Sequence, residues 1–292
     1  MSTDEKFFIT SSVCGFCRGV RRAISCFDDA HRKYGQTVYV LHELVHNNFV
    51  TQFMQQNGAV FVDDVNDIPD GAVAMIGAHG VDKNTWQEMQ KRFTVVDATC
   101  PRVKALQKFA SGVGREQELV MLCKKGHPEA VGVLGHAGTE HIYPVSDIKE
   151  ASELPELKNP VFLSQTTVSG TLAGEVETLL RERFGNLKSH GCICDASNQR
   201  QRGVEVLAEH CQVVLVVGSS HSSNAVELVK TAERCGKKAW LVDNGNSVLP
   251  DMLANISIVG ITAGASTPDE LIEDVQKRLI SMGYHNKGIC NV

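Results

Sequence analysis

Short apolar runs that alternate with helix-type patterns are the feature that most restricts the fold of this chain. Six runs of four to six residues are apolar and rich in strand-forming side chains, and each is followed by a polar loop and a pattern of helical period. They are residues 37–41, 72–76, 119–122, 160–163, 213–217 and 256–261. Strands that are apolar along their whole length are buried on both faces, and helical crossovers make them parallel. The chain is therefore predicted to be an α/β protein with parallel sheets.

Length and charge exclude several classes of protein. A chain of 292 residues is long enough for two or three modules with sizeable cores. Its net charge of -5 and pI of about 6.1 give no general attraction to nucleic acid or anionic lipid. The N-terminal residues lack the pattern of a signal peptide, and no apolar run reaches the ~20 residues of a membrane span. We therefore expect a soluble, cytoplasmic protein.

The cysteine content points to metal binding. Ten cysteines are more than packing requires, and a reducing cytosol argues against a disulfide framework of that size. Four of them lie inside apolar helix or strand patterns and are predicted to be small buried hydrophobes. These four are Cys26, Cys123, Cys211 and Cys235.

Three other cysteines mark an internal repeat. Cys17, Cys100 and Cys194 each precede an amphipathic helix pattern, and each helix is followed by a strand and a polar loop. The distances from these cysteines to polar residues of that loop are 29, 27 and 28 residues. The loop residues are His46, His127 and Ser222.

A second polar loop follows in each repeat at a looser spacing. Counted from the same cysteines, His79, Thr166 and Ser266 follow after 62, 66 and 72 residues. The chain is thus predicted to contain three related α/β domains, at residues 17–96, 97–190 and 191–283, the last including a strand at residues 6–12. Ligands bind at the carboxyl ends of parallel strands, where both sets of loops lie.

The repeat distinguishes these three cysteines from the other cysteines that lie near them in the sequence. Cys14 and Cys192 have no counterparts, so the Cys-x-x-Cys formed by Cys14 and Cys17 is interpreted as incidental. Thiolates at three helix N-termini need a cation or a cluster to offset their charge. Three protein ligands leave one coordination position open, which suits a four-iron four-sulfur cluster or a zinc ion with water. Ligand softness favours the cluster, and zinc stays the alternative.

Side chains of the polar loops suit a phosphate or diphosphate, because hydroxyls, imidazoles and helix-start amides bind anions. Taken singly, Ser222, Asn224 and Ser266 could instead be ordinary helix caps. Glu129 is a carboxylate two residues after His127 in its phased loop, and it could deliver protons through Thr166 or Thr167. The alternative is a first-turn acid that only complements the helix dipole.

The combined motifs, in this order, resemble those of the 4-hydroxy-3-methylbut-2-enyl diphosphate reductase (LytB-like) family. They are GFCRGV at 15–20, ELVHN at 43–47, AHGV at 78–81, DATCP at 97–101, GHPE at 126–129, SQTT at 164–167, SSN at 222–224 and TAGAS at 262–266. The resemblance spans nearly the whole chain. It implies an oxidoreductase that ends the methylerythritol phosphate route of isoprenoid biosynthesis.

The resemblance also implies a fold and a mechanism. Three α/β domains would form a pseudo-threefold trefoil around a 4Fe-4S cluster held by Cys17, Cys100 and Cys194. The substrate hydroxyl would bind the open iron, with Thr166 orienting it and Glu129 as proton source, and a ferredoxin or flavodoxin would donate electrons. The substrate diphosphate would contact the remaining site residues. These are His46, His79, His127, Ser222, Ser223, Asn224 and Ser266, of which His127 is also assigned to catalysis.

Two other classes of protein remain open from the residues alone. One is a different open-iron enzyme, such as a dehydratase or a quinolinate synthase-like lyase, whose phosphate-free substrate would not need the loop at residues 222–224. The other is a non-enzymatic iron-sulfur sensor, which needs neither three histidines nor a carboxylate in the phased loops. Turnover of the allylic diphosphate with a chemical reductant separates the three.

Overall fold

The computed structural model describes residues 5–190 and 194–291 and confirms the α/β class. In the described residues the strands form three sheets, and every strand pairing in them is parallel. The strands are β1 (Lys6–Ser11), β2 (Val38–Leu41), β3 (Ala59–Val62), β4 (Val73–Ile76), β5 (Thr94–Asp97), β6 (Glu118–Leu122), β7 (Ile142–Val145), β8 (Pro160–Ser164), β9 (Lys188–His190), β10 (Val213–Val217), β11 (Lys238–Val242), β12 (Ile258–Ala263) and β13 (Tyr284–Cys290).

Helices connect these strands as the sequence pattern predicts. They are α1 (Arg18–Tyr34), α2 (Asn48–Gln56), α3 (Lys83–Arg92), α4 (Pro101–Ser111), α5 (Pro128–Leu134), α6 (Ile148–Ser152), α7 (Gly170–Arg183), α8 (Asp195–Glu209), α9 (Ser223–Arg234) and α10 (Asp269–Ser281). Among the described helices, none combines the length and the apolar character that a bilayer span requires.

The chain divides into two compact units. The first unit comprises the residues up to Cys17, His46–Asn48 and everything from Asp195 onward, and it contains the five-stranded sheet with the order β11-β10-β12-β1-β13. The second unit comprises Arg18–Val45 and Phe49–Cys194, and it contains two four-stranded sheets. Their orders are β3-β2-β4-β5 and β7-β6-β8-β9. The domain boundaries predicted from the repeat stay a prediction.

The central strands are buried on both faces, as their continuous apolar sequences predict. In β10, Val213, Leu215 and Val217 pack in one core with side chains of α10, whereas Val214 and Val216 pack in another with those of α8 and α9. Complete burial of each such side chain contributes about 1.5–3 kcal/mol to the free energy of unfolding.

All six strands predicted from the apolar runs are present, with ends shifted by one or two residues at five of them, and the strand predicted at residues 6–12 is β1. Several edge strands were not predicted. β5 and β9, for example, are only four and three residues long and partly exposed, so they carry no continuous apolar run. Tertiary pairing forms these strands where local sequence gives only a weak signal.

The prediction of burial is correct for two of the four cysteines and wrong for the other two. Cys123 and Cys211 are buried, and burial raises the pKa of each thiol to about 11. Cys235 is exposed, because it lies at the C-terminal end of α9 beyond the buried stripe of that helix, and Cys26 is only half-buried on the side of α1. Cys26 lies next to the buried Phe27, which belongs to the apolar face of the same helix.

Candidate functional site

The three sheets share a topology that gives the three cysteines equivalent positions. In the four-stranded sheets, the first strand in the chain is flanked by the second and third, and the fourth lies beside the third. The five-stranded sheet follows the same order from β10 to β12, with the N-terminal strand β1 in the fourth place. Cys100, Cys194 and Cys17 follow the fourth strands β5, β9 and β1 after three, four and six residues.

A repeated hydrogen bond fixes the backbone of each cysteine. The N–H of Cys100 donates to the carbonyl of Ala78 (2.9 Å), that of Cys194 to Thr166 (3.1 Å), and that of Cys17 to Ala265 (3.0 Å). Each acceptor lies two residues after the last residue of the third strand, β4, β8 or β12. The same bond at three equivalent places supports a common role for these cysteines.

Each of these three cysteines is half-buried and directly precedes the first residue of a helix, α4, α8 or α1. Cys14 differs, because it packs against the core of the first unit and burial raises the pKa of its thiol. Cys192 lies outside the described residues.

The loops after the first strands also match in register. His46, His127 and Ser222 each lie five residues after the end of β2, β6 or β10. Ser222 is the N-cap of α9 and accepts from the Ala225 N–H, as the capping alternative predicts. His127 caps α5, where its Nδ1 accepts from the Glu129 N–H at 3.1 Å. A hydrogen on Nε2 is therefore the matching tautomer.

The loops after the third strands correct one detail of the predicted repeat. His79, Thr167 and Ser266 lie three residues after β4, β8 and β12, so Thr167 is the topological counterpart of the other two. Thr166, which the sequence spacing had aligned with them, corresponds instead to the carbonyl acceptor positions of Ala78 and Ala265. Thr166 thus has a backbone role shared by all three repeats and a side-chain role of its own.

In the first unit, the polar loops place several buried hydrogen-bonding groups together. Asn224 accepts the Ala265 N–H with its Oδ1 (2.8 Å), so this side chain is not a helix cap. The hydroxyl of Ser266 lies 3.5 Å from that of Ser222 and donates to the His46 carbonyl (3.3 Å). The capping alternative for Ser266 is wrong, since Pro268 occupies the N-cap of α10.

Two buried polar atoms of this loop lack partners among the described residues. They are the Nδ2 of Asn224 and the hydroxyl of Ser223. A buried polar group without a partner costs about 1–3 kcal/mol, and binding of a ligand or a water molecule can offset that cost. Both groups can donate to an acceptor, which is the chemistry that an anionic ligand requires.

In the second unit, Glu129 forms a buried pair with Thr166. Glu129 is 2% exposed, and its two carboxylate oxygens accept from the backbone N–H and the hydroxyl of Thr166, both at 2.7 Å. Burial raises the pKa of the Glu129 carboxyl, and the two bonds from Thr166 oppose part of that rise. Its burial and tertiary bonds contradict the alternative of a helix-end acid with no other role.

Nearby groups complete this part of the second unit. The rings of His79 and His127 meet edge to face with their centroids 5.2 Å apart. Gln165 bridges the two loops, because its Oε1 accepts from the Lys124 N–H (3.0 Å) and its Nε2 donates to Thr167 (3.0 Å). Gln165 was not predicted as a site residue, although it lies in the quoted SQTT motif.

Two arginines that hold the cysteine loops were also missed. Arg22 of α1 donates to the carbonyls of Thr99 and Asp97 (3.3 and 3.4 Å), just before Cys100. Arg200 of α8 is 4% exposed and donates to the carbonyl of Gly15 (2.5 Å). Each arginine lies five or six residues after one cysteine and holds the loop before another, which is a signal that the repeat alignment could have revealed.

Comparison with known proteins gives concordant matches. The sequence model of the family described as LytB protein matches residues 8–280. The chain is 39% identical over 277 residues to the 4-hydroxy-3-methylbut-2-enyl diphosphate reductase of Cronobacter sakazakii, covering 92% of this chain and 88% of the relative. It is 40% identical over 278 residues to the reductase of the same name from Tolumonas auensis, covering 92% and 89%.

Solved structures agree with the sequence matches. The E-1-hydroxy-2-methyl-but-2-enyl-4-diphosphate reductase of Plasmodium falciparum superposes with a TM-score of 0.92 at 27% identity, covering 99% of this chain and 92% of that one. A second structure, described as (E)-4-hydroxy-3-methyl-but-2-enyl diphosphate reductase, the terminal enzyme of the non-mevalonate pathway, gives a TM-score of 0.68 at 27% identity. That match covers 94% of this chain and 99% of the other.

Proposed function

Because this chain belongs to the LytB protein family, we propose that it is a 4-hydroxy-3-methylbut-2-enyl diphosphate reductase, the terminal enzyme of the non-mevalonate isoprenoid pathway. The reaction is a reductive dehydroxylation. The carbon–oxygen bond at C4 breaks, the hydroxyl leaves as water, and two electrons and two protons are consumed. The products are isopentenyl and dimethylallyl diphosphate.

The observation that carries the proposal is the repeated hydrogen bond of Cys17, Cys100 and Cys194. Three equivalent, half-buried cysteines at helix starts are a donor set that fits an iron-sulfur cluster, because thiolates are its usual ligands. We infer that these three hold a 4Fe-4S cluster, whose chemistry when bound is to pass electrons to the substrate and to act as a Lewis acid at its open iron. Cys14, which packs against the hydrophobic core of the first unit, is not part of the set.

The diphosphate is assigned to the polar loops. The free donors of Ser223 and Asn224 support this assignment, since a buried donor without a partner gains a charge-assisted bond from a phosphate oxygen. Ser222, Ser266 and the imidazoles complete the proposed subsite. The three imidazoles are those of His46, His79 and His127.

Glu129 is the proposed proton source. Its raised pKa favours the protonated form, in which Oε2–H donates to the Thr166 hydroxyl. The Thr166 hydrogen is then free to turn toward the departing hydroxyl of the substrate. Thr166 thereby orients that hydroxyl and passes it a proton, and burial keeps the pair away from bulk water.

Two further assignments belong to this proposal. The electrons come from a ferredoxin or flavodoxin, the donors expected for the family. The location is the cytoplasm, whose reducing conditions suit a chain with ten cysteines.

Anaerobic reconstitution and assay test the proposal. The loaded protein is expected to contain about four irons and four sulfides per chain, and to turn over the allylic diphosphate with dithionite-reduced methyl viologen. Changing Cys17, Cys100 or Cys194 to Ser abolishes cluster binding, whereas Cys14→Ser and Cys192→Ser leave it intact.

Three results would contradict the proposal. Binding of zinc in place of iron and sulfide would contradict the assignment of the cofactor. A bound cluster without turnover of the allylic diphosphate would favour a non-enzymatic sensor. Loss of the cluster on changing Cys14 refutes the assignment of ligands by the repeat.

A further inference from the structure

An open cleft of about 600 Å³ lies on the second unit, and none of the residues assigned above is among those that line it. Helix α4 forms one wall with Lys108 and Phe109, and the β6–β9 sheet forms the other with Val161, Lys188 and His190. The rings of Phe109 and His190 stack across the cleft, with centroids 4.2 Å apart and planes 8° from parallel. The cleft thus combines an aromatic floor with basic groups at its rim.

The charge of the cleft differs from that of the whole chain. Lys108 and Lys188 are both exposed, and neither has an ion-pair partner among the described residues. No Asp or Glu is among the described residues that line the cleft. The chain as a whole carries a net charge of -5, so an acidic partner is repelled by the average surface and attracted here.

The walls of the cleft lead directly to two of the proposed cluster ligands. α4 begins at the residue after Cys100, and Phe109 lies nine residues along from that cysteine, about 13 Å at the rise of an α-helix. His190 ends β9, and the four residue steps from there to Cys194 span at most about 14 Å. A partner seated on the Phe109–His190 stack therefore lies a short way from both cysteines.

We propose that this cleft is the docking surface for the electron donor of the proposed function, taken as a small acidic one-electron carrier protein. The inference rests on the proposed function, which consumes two electrons per turnover. The reduced carrier is oxidised in two successive encounters, and the substrate receives both electrons as its hydroxyl leaves as water. Lys108 and Lys188 steer the acidic carrier, and the aromatic floor contacts the apolar centre of its interface.

Charge reversal in the reconstituted holoenzyme tests the proposal. The double variant Lys108→Glu/Lys188→Glu is compared with Lys91→Glu/Lys230→Glu, which makes the same change in net charge at two exposed lysines outside the cleft. Each enzyme is assayed with a reduced acidic ferredoxin and, separately, with dithionite-reduced methyl viologen. The cleft variant is expected to lose at least about tenfold in kcat/KM for ferredoxin at low salt. Its rate with methyl viologen should stay within about twofold of the unaltered enzyme.

Salt dependence provides a second readout. The ferredoxin rate of the unaltered enzyme should fall as NaCl rises, and that of the cleft variant should depend on salt much less. The milder pair Lys108→Gln/Lys188→Gln should give an intermediate loss, which keeps the test valid if the charge-reversed protein folds poorly.

Several outcomes overturn the docking surface. These are an equal ferredoxin loss in both double variants, no loss in the cleft variant, or an equal loss with both reductants. If the unaltered enzyme is a dimer and the cleft variant is a monomer, the cleft is a surface for self-association instead. If the unaltered holoenzyme fails with methyl viologen, the proposed function itself has failed, and the docking proposal falls with it.

Discussion

Thr166 holds the carboxylate of Glu129 with two hydrogen bonds of 2.7 Å, one from its backbone N–H and one from its hydroxyl. The carbonyl of the same threonine accepts the N–H of Cys194. One residue therefore links the buried acid to the backbone of a proposed cluster ligand. The orientation of the acid and the position of the cysteine depend on the same loop.

Replacement of Glu129 by Gln should remove the proton source and retain the shape of the side chain. Loss of a positioned general acid costs about 10²- to 10⁴-fold in rate, so we expect a fall in kcat of that size while iron and sulfide contents stay unchanged. Thr166→Val should cause a similar loss, because it removes the hydroxyl that passes the proton. Glu175→Gln, an exposed change on α7, is the matched control. Wild-type kcat in Glu129→Gln would exclude this residue as the proton source.

The pH dependence of stability should report the raised pKa of Glu129. The unfolded carboxyl loses its proton near pH 4.3, whereas the folded one keeps it to higher pH. Between the two pKa values the unfolded state binds fewer protons, so this residue lowers the free energy of unfolding as pH rises. Above the folded pKa the effect is constant.

Thermal unfolding of wild type and Glu129→Gln between pH 4 and pH 8 measures this effect. The difference in stability should shift in favour of the Gln variant as the pH rises through this range and then level off. A difference that stays constant with pH would show that the carboxyl ionises alike in the folded and unfolded states.

Asn224→Asp should weaken substrate binding selectively. The change keeps the oxygen that accepts the Ala265 N–H and replaces the buried Nδ2 donor by a second oxygen. A hydrogen bond to a charged group contributes about 1.5–3 kcal/mol, so KM for the diphosphate should rise at least about tenfold, with added repulsion between like charges. Asn246→Asp, at an exposed position, is the control. An unchanged KM would remove Asn224 from the diphosphate subsite.

Gly15→Ala should impair cluster binding through the Cys17 loop. Gly15 has φ +74°, and a Cβ there would lie 2.9 Å from the Asp269 carboxylate. Gly35→Ala is the matched control, because Gly35 has φ +59° with open space around it. Both variants carry a similar backbone strain of about 1 kcal/mol, so iron content should fall only in Gly15→Ala. Equal iron contents would show that the close approach does not constrain the loop.

Most of the central architecture was predictable because parallel strands buried on both faces have continuous apolar sequences. The burial of β10 on two separate cores shows this directly. β9 and β13 escaped prediction, since their residues are largely exposed and are ordered by pairing with a neighbouring strand. The exposure of Cys235 was missed for a related reason, because a helical stripe does not specify where its buried part ends.

The sequence predicted which residues form the candidate site, but not the hydrogen bonds that they make. The sequence repeat selected Cys17, Cys100 and Cys194, and the structure places each on an equivalent carbonyl acceptor. The spacing of the repeat aligned Thr166 with His79 and Ser266, one residue before their true counterpart Thr167. Loop lengths differ among the repeats, so only the hydrogen bonds of the folded protein define the register.

The sequence alone determined the α/β class, the threefold repeat and the residue types of the site, because burial period and spacing are local properties of the chain. Only the tertiary structure decided that Glu129 pairs with Thr166 and that Asn224 presents a buried donor beside the loop that follows β12. Those relationships join residues far apart in the chain. Their partners are selected by packing and hydrogen bonding in the folded protein, which no local pattern encodes.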